Sequence, residues 1–136
     1  MLDVLSAMII PSDERSGGAH EAKVSLYIDL VIAHSEEPVQ QQWRSALKTA
    51  DQQAQDRFQK SFLECDPGSR DALMAEWARN ESQPQSELEK FFAMLKRQTV
   101  AGYYTTEIGL LKELGYIGNT ALSDFPGCEH PEKYHT

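Results

Sequence analysis

The sequence predicts an all-α protein: a single-domain helical bundle of five or six helices over 1–136, with an irregular C-terminal arm over 115–136. Three observations predict it. A chain of 136 residues with 40% hydrophobic and 25% charged residues is long enough to bury one core without disulfides or metal. Apolar residues recur every three or four positions along most of the chain, and no period-two run exceeds about four residues. Beyond Gly115, glycine, proline and asparagine punctuate the sequence every few residues.

A short first helix runs from Leu2 to Ile9 and stops before Pro11, and "PSDERSGG" reads as a polar loop. From Ala19 to His34, Val24, Tyr27, Ile28 and Val31 fall on one face of a second helix. Pro38 suits the first turn of a long third helix, because its fixed φ matches the helix and its missing N–H costs nothing there. Val39, Trp43, Leu47, Ala50, Ala54, Phe58 and Phe62 form its stripe, and "CDPG" ends it. Asp66 and Pro67 are the N-cap and first position of the next helix, whose buried side is Leu73, Met74, Trp77 and Ala78.

"NESQPQ" is a polar break. Ser86 with Glu89 makes a capping box for a fifth helix striped by Leu88, Phe91, Phe92, Leu95 and Thr99. Lys96 and Arg97 lie toward its C-terminal end, where exposed carbonyls favour cations, and Gly102 interrupts or ends it. A sixth helix spans Thr105 to Leu114, with Ile108, Leu111 and Leu114 inward, and Gly115 is its stop.

Charge and patterning exclude several classes. A net charge of −8 and the absence of a basic run argue against nucleic acid as partner. No apolar stretch approaches the roughly 18 residues of a membrane span. The first residues, "MLDVLSAMIIPSDERS", show no export signal. Two expectations stay open: a cytoplasmic protein, or one whose signal has been removed, with Met1 an artificial start.

Each candidate chemistry lacks part of its machinery. Cys128, His130 and His135 are good zinc ligand types, but C-x-H-x4-H offers three ligands without a second pair nearby, so two exposed tail histidines are the plainer reading. Cys128 with His130 could pair as thiolate and imidazolium, but catalysis also needs an orienting group and a pocket. Cys65, beside Phe62 and Leu63, reads as a small buried hydrophobe. The acidic pairs Asp13/Glu14, Glu36/Glu37, Glu87/Glu89 and Glu129/Glu132 read as loop and helix-start charges. "GYIG" has neither a preceding strand nor a following Lys-Ser/Thr, so it is not a phosphate loop.

Tyr103, Tyr104, Tyr116 and Tyr134 are more informative. Tyrosine buries a ring and keeps a polar tip, a combination enriched at interfaces, although two of the four suit a core equally well. Phe125-Pro126-Gly127 adds an aromatic on a rigid turn. An interaction module is favoured over an enzyme. Its expected contact residues are Tyr103, Tyr104, Tyr116, Asn119, Phe125, Pro126, Cys128, His130 and Tyr134, with no catalytic, cofactor-binding or metal-binding residue assigned.

Two stretches carry a family resemblance. The first is "LSAMIIPSDERSGGAHEAKVSLYID"; the second and more specific is "LKRQTVAGYYTTEIGLLKELGYIGNTALSDFPGCEHPE". Together they resemble the small subunit (subunit 3, or gamma) of gluconate 2-dehydrogenase-type flavoprotein dehydrogenases; residues 35–87 match only in helical character. Gly17 stands where the family often has proline.

The resemblance implies a non-catalytic subunit that binds and stabilises a large subunit of the glucose–methanol–choline type, which carries FAD and the catalytic histidine. It implies substrates among sugars, sugar acids, alditols or glycosides, some oxidised at the 3-hydroxyl, and in some complexes a cytochrome c subunit. It implies a periplasmic location and assistance with export, although the twin-arginine signal of many members is not seen in these residues. In an oxidising compartment Cys128 is a candidate bridge to Cys65 or to a cysteine of the large subunit. A free-standing helical interaction module and a small metal-binding protein using Cys128, His130 and His135 are the alternatives.

Overall fold

Helix α6, Glu87–Tyr103, is the axis on which the other elements pack: α1 (Leu2–Ile9), α2 (Gly18–Glu21), α3 (Val24–Ala33), α4 (Glu37–Phe58) and α5 (Pro67–Trp77) all contact it. The computed structural model describes residues 1–14 and 16–119. Among these the chain is all-α, with six α-helices, a 3-10 turn at Phe62–Glu64, a π-helix at Ile108–Glu113 and no strand.

The core is aromatic at its centre. The Trp77 ring lies 5.8 Å from Phe62, stacked at 26°, and 6.3 Å from Phe91, edge-on at 64°. Trp43 also meets Phe91, edge-on at 5.7 Å and 84°. Such offset and edge contacts suit the ring quadrupoles. The indole N–H, which must find an acceptor when buried, donates to Gln53 Oε1 at 2.6 Å. Leu5, Val24, Ile28, Leu73 and Leu95 complete the interior.

Local signals act as read at several boundaries. α1 spans Leu2–Ile9. Asp66 caps α5 by accepting from the Ser69 N–H at 3.0 Å. Ser86 and Glu89 form the reciprocal capping box of α6, with Glu89 N–H to Ser86 Oγ at 3.2 Å and Ser86 N–H to Glu89 Oε2 at 2.9 Å. These N–H donors, Ser86 first and then Gln85, with the Asn80 amide, hold the Glu89 carboxyl below its ordinary range.

Three boundaries differ from the sequence reading. The segment read as one helix from Ala19 is two, because Lys23 takes a left-handed conformation (φ 55°) between α2 and α3. The apolar face hides this break: Val24 and Ile28 are fully buried as the stripe predicts. α4 ends at Phe58, not beyond Phe62, with Gln59 left-handed at φ 57°. Phe62 returns to the core on the 3-10 turn, which Ser61 and Glu64 cap reciprocally. Gly102 neither interrupts nor ends α6, which runs on to Tyr103.

The last described helix is the largest departure. Ile108–Glu113 is π-helical, with the Leu114 N–H donating to the Gly109 carbonyl five residues back. The widened turn rotates the apolar positions. Ile108 packs against the core, but Leu111 and Leu114, expected inward, are 49% and 59% exposed. Gly115 ends the element at φ 62°, the left-handed stop that the sequence predicts.

Candidate functional site

The two stretches that carry the resemblance lie at opposite ends of the chain and meet at Tyr103. This last residue of α6 is fully buried, not presented at the surface. Its hydroxyl touches Ser16 Oγ and donates to Glu113 Oε2 at 2.5 Å. Tyr104, packed edge-on against Tyr103 with ring centroids 5.1 Å apart, donates to the other oxygen, Glu113 Oε1, at 2.8 Å.

Counting protons orders this network. Tyr103 has one hydroxyl proton and gives it to Glu113, so at the other contact the Ser16 hydroxyl donates to the phenol oxygen, while Ser16 Oγ accepts from the Gly18 N–H at 3.2 Å. Each bond polarises the next toward the carboxylate. Burial first, then the bond to Glu113, holds the Tyr103 phenol above its ordinary pKa; at Tyr104 the bond to Glu113 is the larger cause. Both rings are therefore neutral donors at physiological pH.

Small residues make these approaches possible. Gly109 sits so close to α6 that a Cβ there would lie 2.3 Å from the Tyr103 carbonyl oxygen. A Cβ on Gly102 would lie 2.5 Å from the Tyr27 ring of α3. Gly18 takes φ 65° and has Pro11 and Ser12 backbone at 2.6 Å from where a Cβ would stand. Thr106 starts the π-helix by donating to the Tyr103 carbonyl at 2.7 Å and accepting from the Gly109 N–H at 3.2 Å.

The outer side of this region is apolar. Leu111, Leu114, Tyr116 and Ile117 are 49%, 59%, 43% and 92% exposed, a run of open apolar side chains (the ridge) near the end of the described chain, interspersed with exposed Lys112 and Glu113. Tyr104 is half-buried, and Tyr116 donates to Asn119 Oδ1 at 2.8 Å, both residues exposed. Of the contact residues expected from sequence, Tyr104, Tyr116 and Asn119 thus lie at the surface and Tyr103 in the interior. Phe125, Pro126, Cys128, His130 and Tyr134 lie outside the described residues, as does His135.

The other chemical candidates are engaged in structure. Cys65 is 3% exposed within the core. His20 Nδ1 pairs with Asp3 Oδ2 at 2.8 Å, and His34 Nδ1 bonds its own helix at the Leu30 carbonyl, 2.9 Å away. No group of three or more His, Cys, Asp or Glu side chains among the described residues is placed to hold a metal ion. Sequence reasoning missed Glu113 and Ser16. The one available signal was a carboxylate nine and ten positions after a tyrosine pair, a spacing that points to nothing while the last helix is read as α.

A family model described as gluconate 2-dehydrogenase subunit 3 matches residues 1–121. The chain belongs to this family. No curated protein and no solved structure matches it. The family match takes in both ends of the tyrosine–serine–glutamate network and the apolar ridge; Phe125, Pro126, Cys128, His130 and Tyr134 follow it. The family is that of a subunit of a multi-subunit dehydrogenase complex, which points to an accessory role. No helix among the described residues is long and apolar enough to cross a membrane.

Proposed function

We propose that this subunit is the non-catalytic small subunit of an FAD-dependent sugar or glycoside dehydrogenase. It binds and stabilises a large flavoprotein subunit of the glucose–methanol–choline type through its C-terminal region. FAD and the reacting groups belong to the large subunit, and a cytochrome c subunit is a further candidate member. The periplasm is the proposed site of action, with export of the large subunit a second task.

One observation carries this reading: a subunit-family domain ends in a ridge of Leu111, Leu114, Tyr116 and Ile117 that its own core leaves exposed. Large apolar side chains clustered in sequence and open to solvent mark contact sites. Tyr104, Tyr116, Asn119, Phe125, Pro126, Cys128, His130 and Tyr134 are the proposed contact residues, with Tyr103 supporting them from within. A partner that binds only the folded large subunit at a hundred times its Kd would stabilise that subunit by about 2.7 kcal/mol.

The test is co-expression with the large subunit, comparing the full chain with one lacking residues 120–136. Loss of co-purified flavoprotein supports the reading; undiminished recovery removes residues 120–136 from the contact and leaves the ridge to be tested by its own substitutions. Non-reducing gels of the oxidised complex, with Cys128→Ser as control, show whether Cys128 bonds Cys65, bonds the large subunit, or neither.

A further inference from the structure

Helix α3 is apolar on both sides. Of its ten residues, "VSLYIDLVIA", Ser25 and Asp29 alone are neither aliphatic nor aromatic. Val24 and Ile28 are fully buried against the bundle, yet Leu26 and Leu30, one turn apart on the opposite side, are 63% and 59% exposed. A helix apolar all round belongs inside a larger body. The described residues leave this side of α3 uncovered.

From Leu26 this face leads toward the π-helix. A hollow bounded by Leu26 shares Ser12, Gly17 and Glu21 with a second hollow, whose far side is Ile108 and Lys112 of the π-helix. One surface therefore runs from α3, across the loop before α2, to the last described element. Its lining carries Asp3, Glu14 and Glu21 against Lys23 and Lys112, a net acidic surface in a chain of net charge −8.

Size and charge select the occupant. A stable interface takes about 20–30 residues a side and about 800 Å² per partner, far more than a four-residue ridge provides. A net acidic surface disfavours an anionic lipid surface and a second copy of the same face. We infer that the outer face of α3, centred on Leu26 and Leu30, is a second contact with the large dehydrogenase subunit. That subunit offers an apolar groove for the two leucines and lysine or arginine opposite Glu14 and Glu21. The inference rests on the proposed function and extends it to the other end of the chain.

The experiment measures the affinity of the full chain for the purified large subunit in three forms: unchanged, Leu26→Asp with Leu30→Asp, and Leu26→Met with Leu30→Met. Both side chains are exposed, so the aspartate pair should melt only a few degrees lower, through the poorer helix propensity of aspartate, and stay folded at the assay temperature, while the methionine pair should melt like the unchanged chain. The aspartate pair is expected to weaken binding by about tenfold or more, and the methionine pair to bind within about twofold of the unchanged chain. Unweakened binding by the aspartate pair overturns this inference and leaves the C-terminal contact standing. Failure of the unchanged chain to bind the large subunit overturns both. Sedimentation of the isolated chain supplies the last arm: self-association abolished by the aspartate pair gives the face to a second copy and overturns the inference.

Discussion

Tyr103 and Ser16, 87 positions apart, meet hydroxyl to hydroxyl and join the two ends of the family domain. Tyr103 also anchors Glu113, so one side chain fastens the loop before α2 and the π-helix to α6. Tyr103→Phe keeps the ring and removes both bonds. Glu113 and Ser16 can then turn to water, which limits the loss to the net worth of hydrogen bonds, about 1–3 kcal/mol with a charged acceptor involved. Urea unfolding should show that loss, and hydrogen exchange should quicken over residues 108–117. Tyr104→Phe, at the more exposed oxygen of the same carboxylate, should cost less.

The glycines rank by what stands in the way. A methyl at Gly109 meets the α6 backbone at 2.3 Å, which cannot yield without moving the π-helix. At Gly102 it meets the Tyr27 ring at 2.5 Å, and a ring can turn at some cost. At Gly68, near the start of α5, the nearest atom is 3.4 Å away. Gly109→Ala should therefore destabilise most, by about 2–3 kcal/mol or more, and Gly102→Ala by about 1–3 kcal/mol as overpacking does. Gly68→Ala should be neutral or stabilising by up to about 1 kcal/mol, since alanine is the better helix former. Thermal melting of the three variants checks the order.

Much of the fold was legible because short-range chemistry wrote it. Asp66, Ser86 and Glu89 cap as their types and spacing require, and the Trp43, Trp77 and Phe91 stripes converge on one core. What failed was phase. The break at Lys23 costs a left-handed non-glycine residue, for which side-chain type gives no warning, and apolar periodicity continues across it. The 3-10 turn returns Phe62 to the core and so imitates a longer α4. The π-helix turned Leu111 and Leu114 outward, converting expected core into surface. The candidate site was partly legible: tyrosine type suggested contact or core, but which role Tyr103 and Tyr104 took depended on where α6 ends and on Glu113, which the π-helix brings back to both hydroxyls.

Thr99 offers a test of the core itself. It is fully buried on α6, and its Oγ1 has no hydrogen-bond partner among the described residues. An unsatisfied buried hydroxyl costs about 1–3 kcal/mol. Thr99→Val keeps the shape and removes the oxygen, and the two residues have similar helix propensity. The variant should gain about 1 kcal/mol in urea unfolding. An equal loss would mean that the hydroxyl has a role the contacts do not display.

Stability should bend at both ends of the pH scale, for opposite reasons. The capping carboxylates Glu64, Asp66 and Glu89 are held below their ordinary values, by Ser61, Ser69 and Ser86 respectively, so the folded chain keeps them ionised longer than the unfolded one. Their contribution is present above about pH 4.5 and is lost as acid protonates them. Tyr103 and Tyr104 are shifted upward. Below pH 10 both states hold the phenol protons, and stability is level. Above it the unfolded chain ionises first, binds fewer protons than the folded one, and stability falls. Urea midpoints measured from pH 8 to 11 should fall in the wild type, and Tyr103→Phe should flatten that limb while leaving the acid limb unchanged.

Ile117 separates surface from structure most sharply. At 92% exposed it contributes almost nothing to the isolated fold, so Ile117→Ser should leave the melting temperature within about 1 °C, as surface substitutions do. If the ridge seats on the large subunit, the same change removes its most exposed apolar side chain, and losses of about 1–2 kcal/mol in binding follow. Leu114→Ser, 59% exposed on the same ridge, should behave alike. Parallel melting and affinity measurements decide: weakened binding with an unmoved melting point assigns the ridge to the interface, whereas unmoved affinity for both variants removes it.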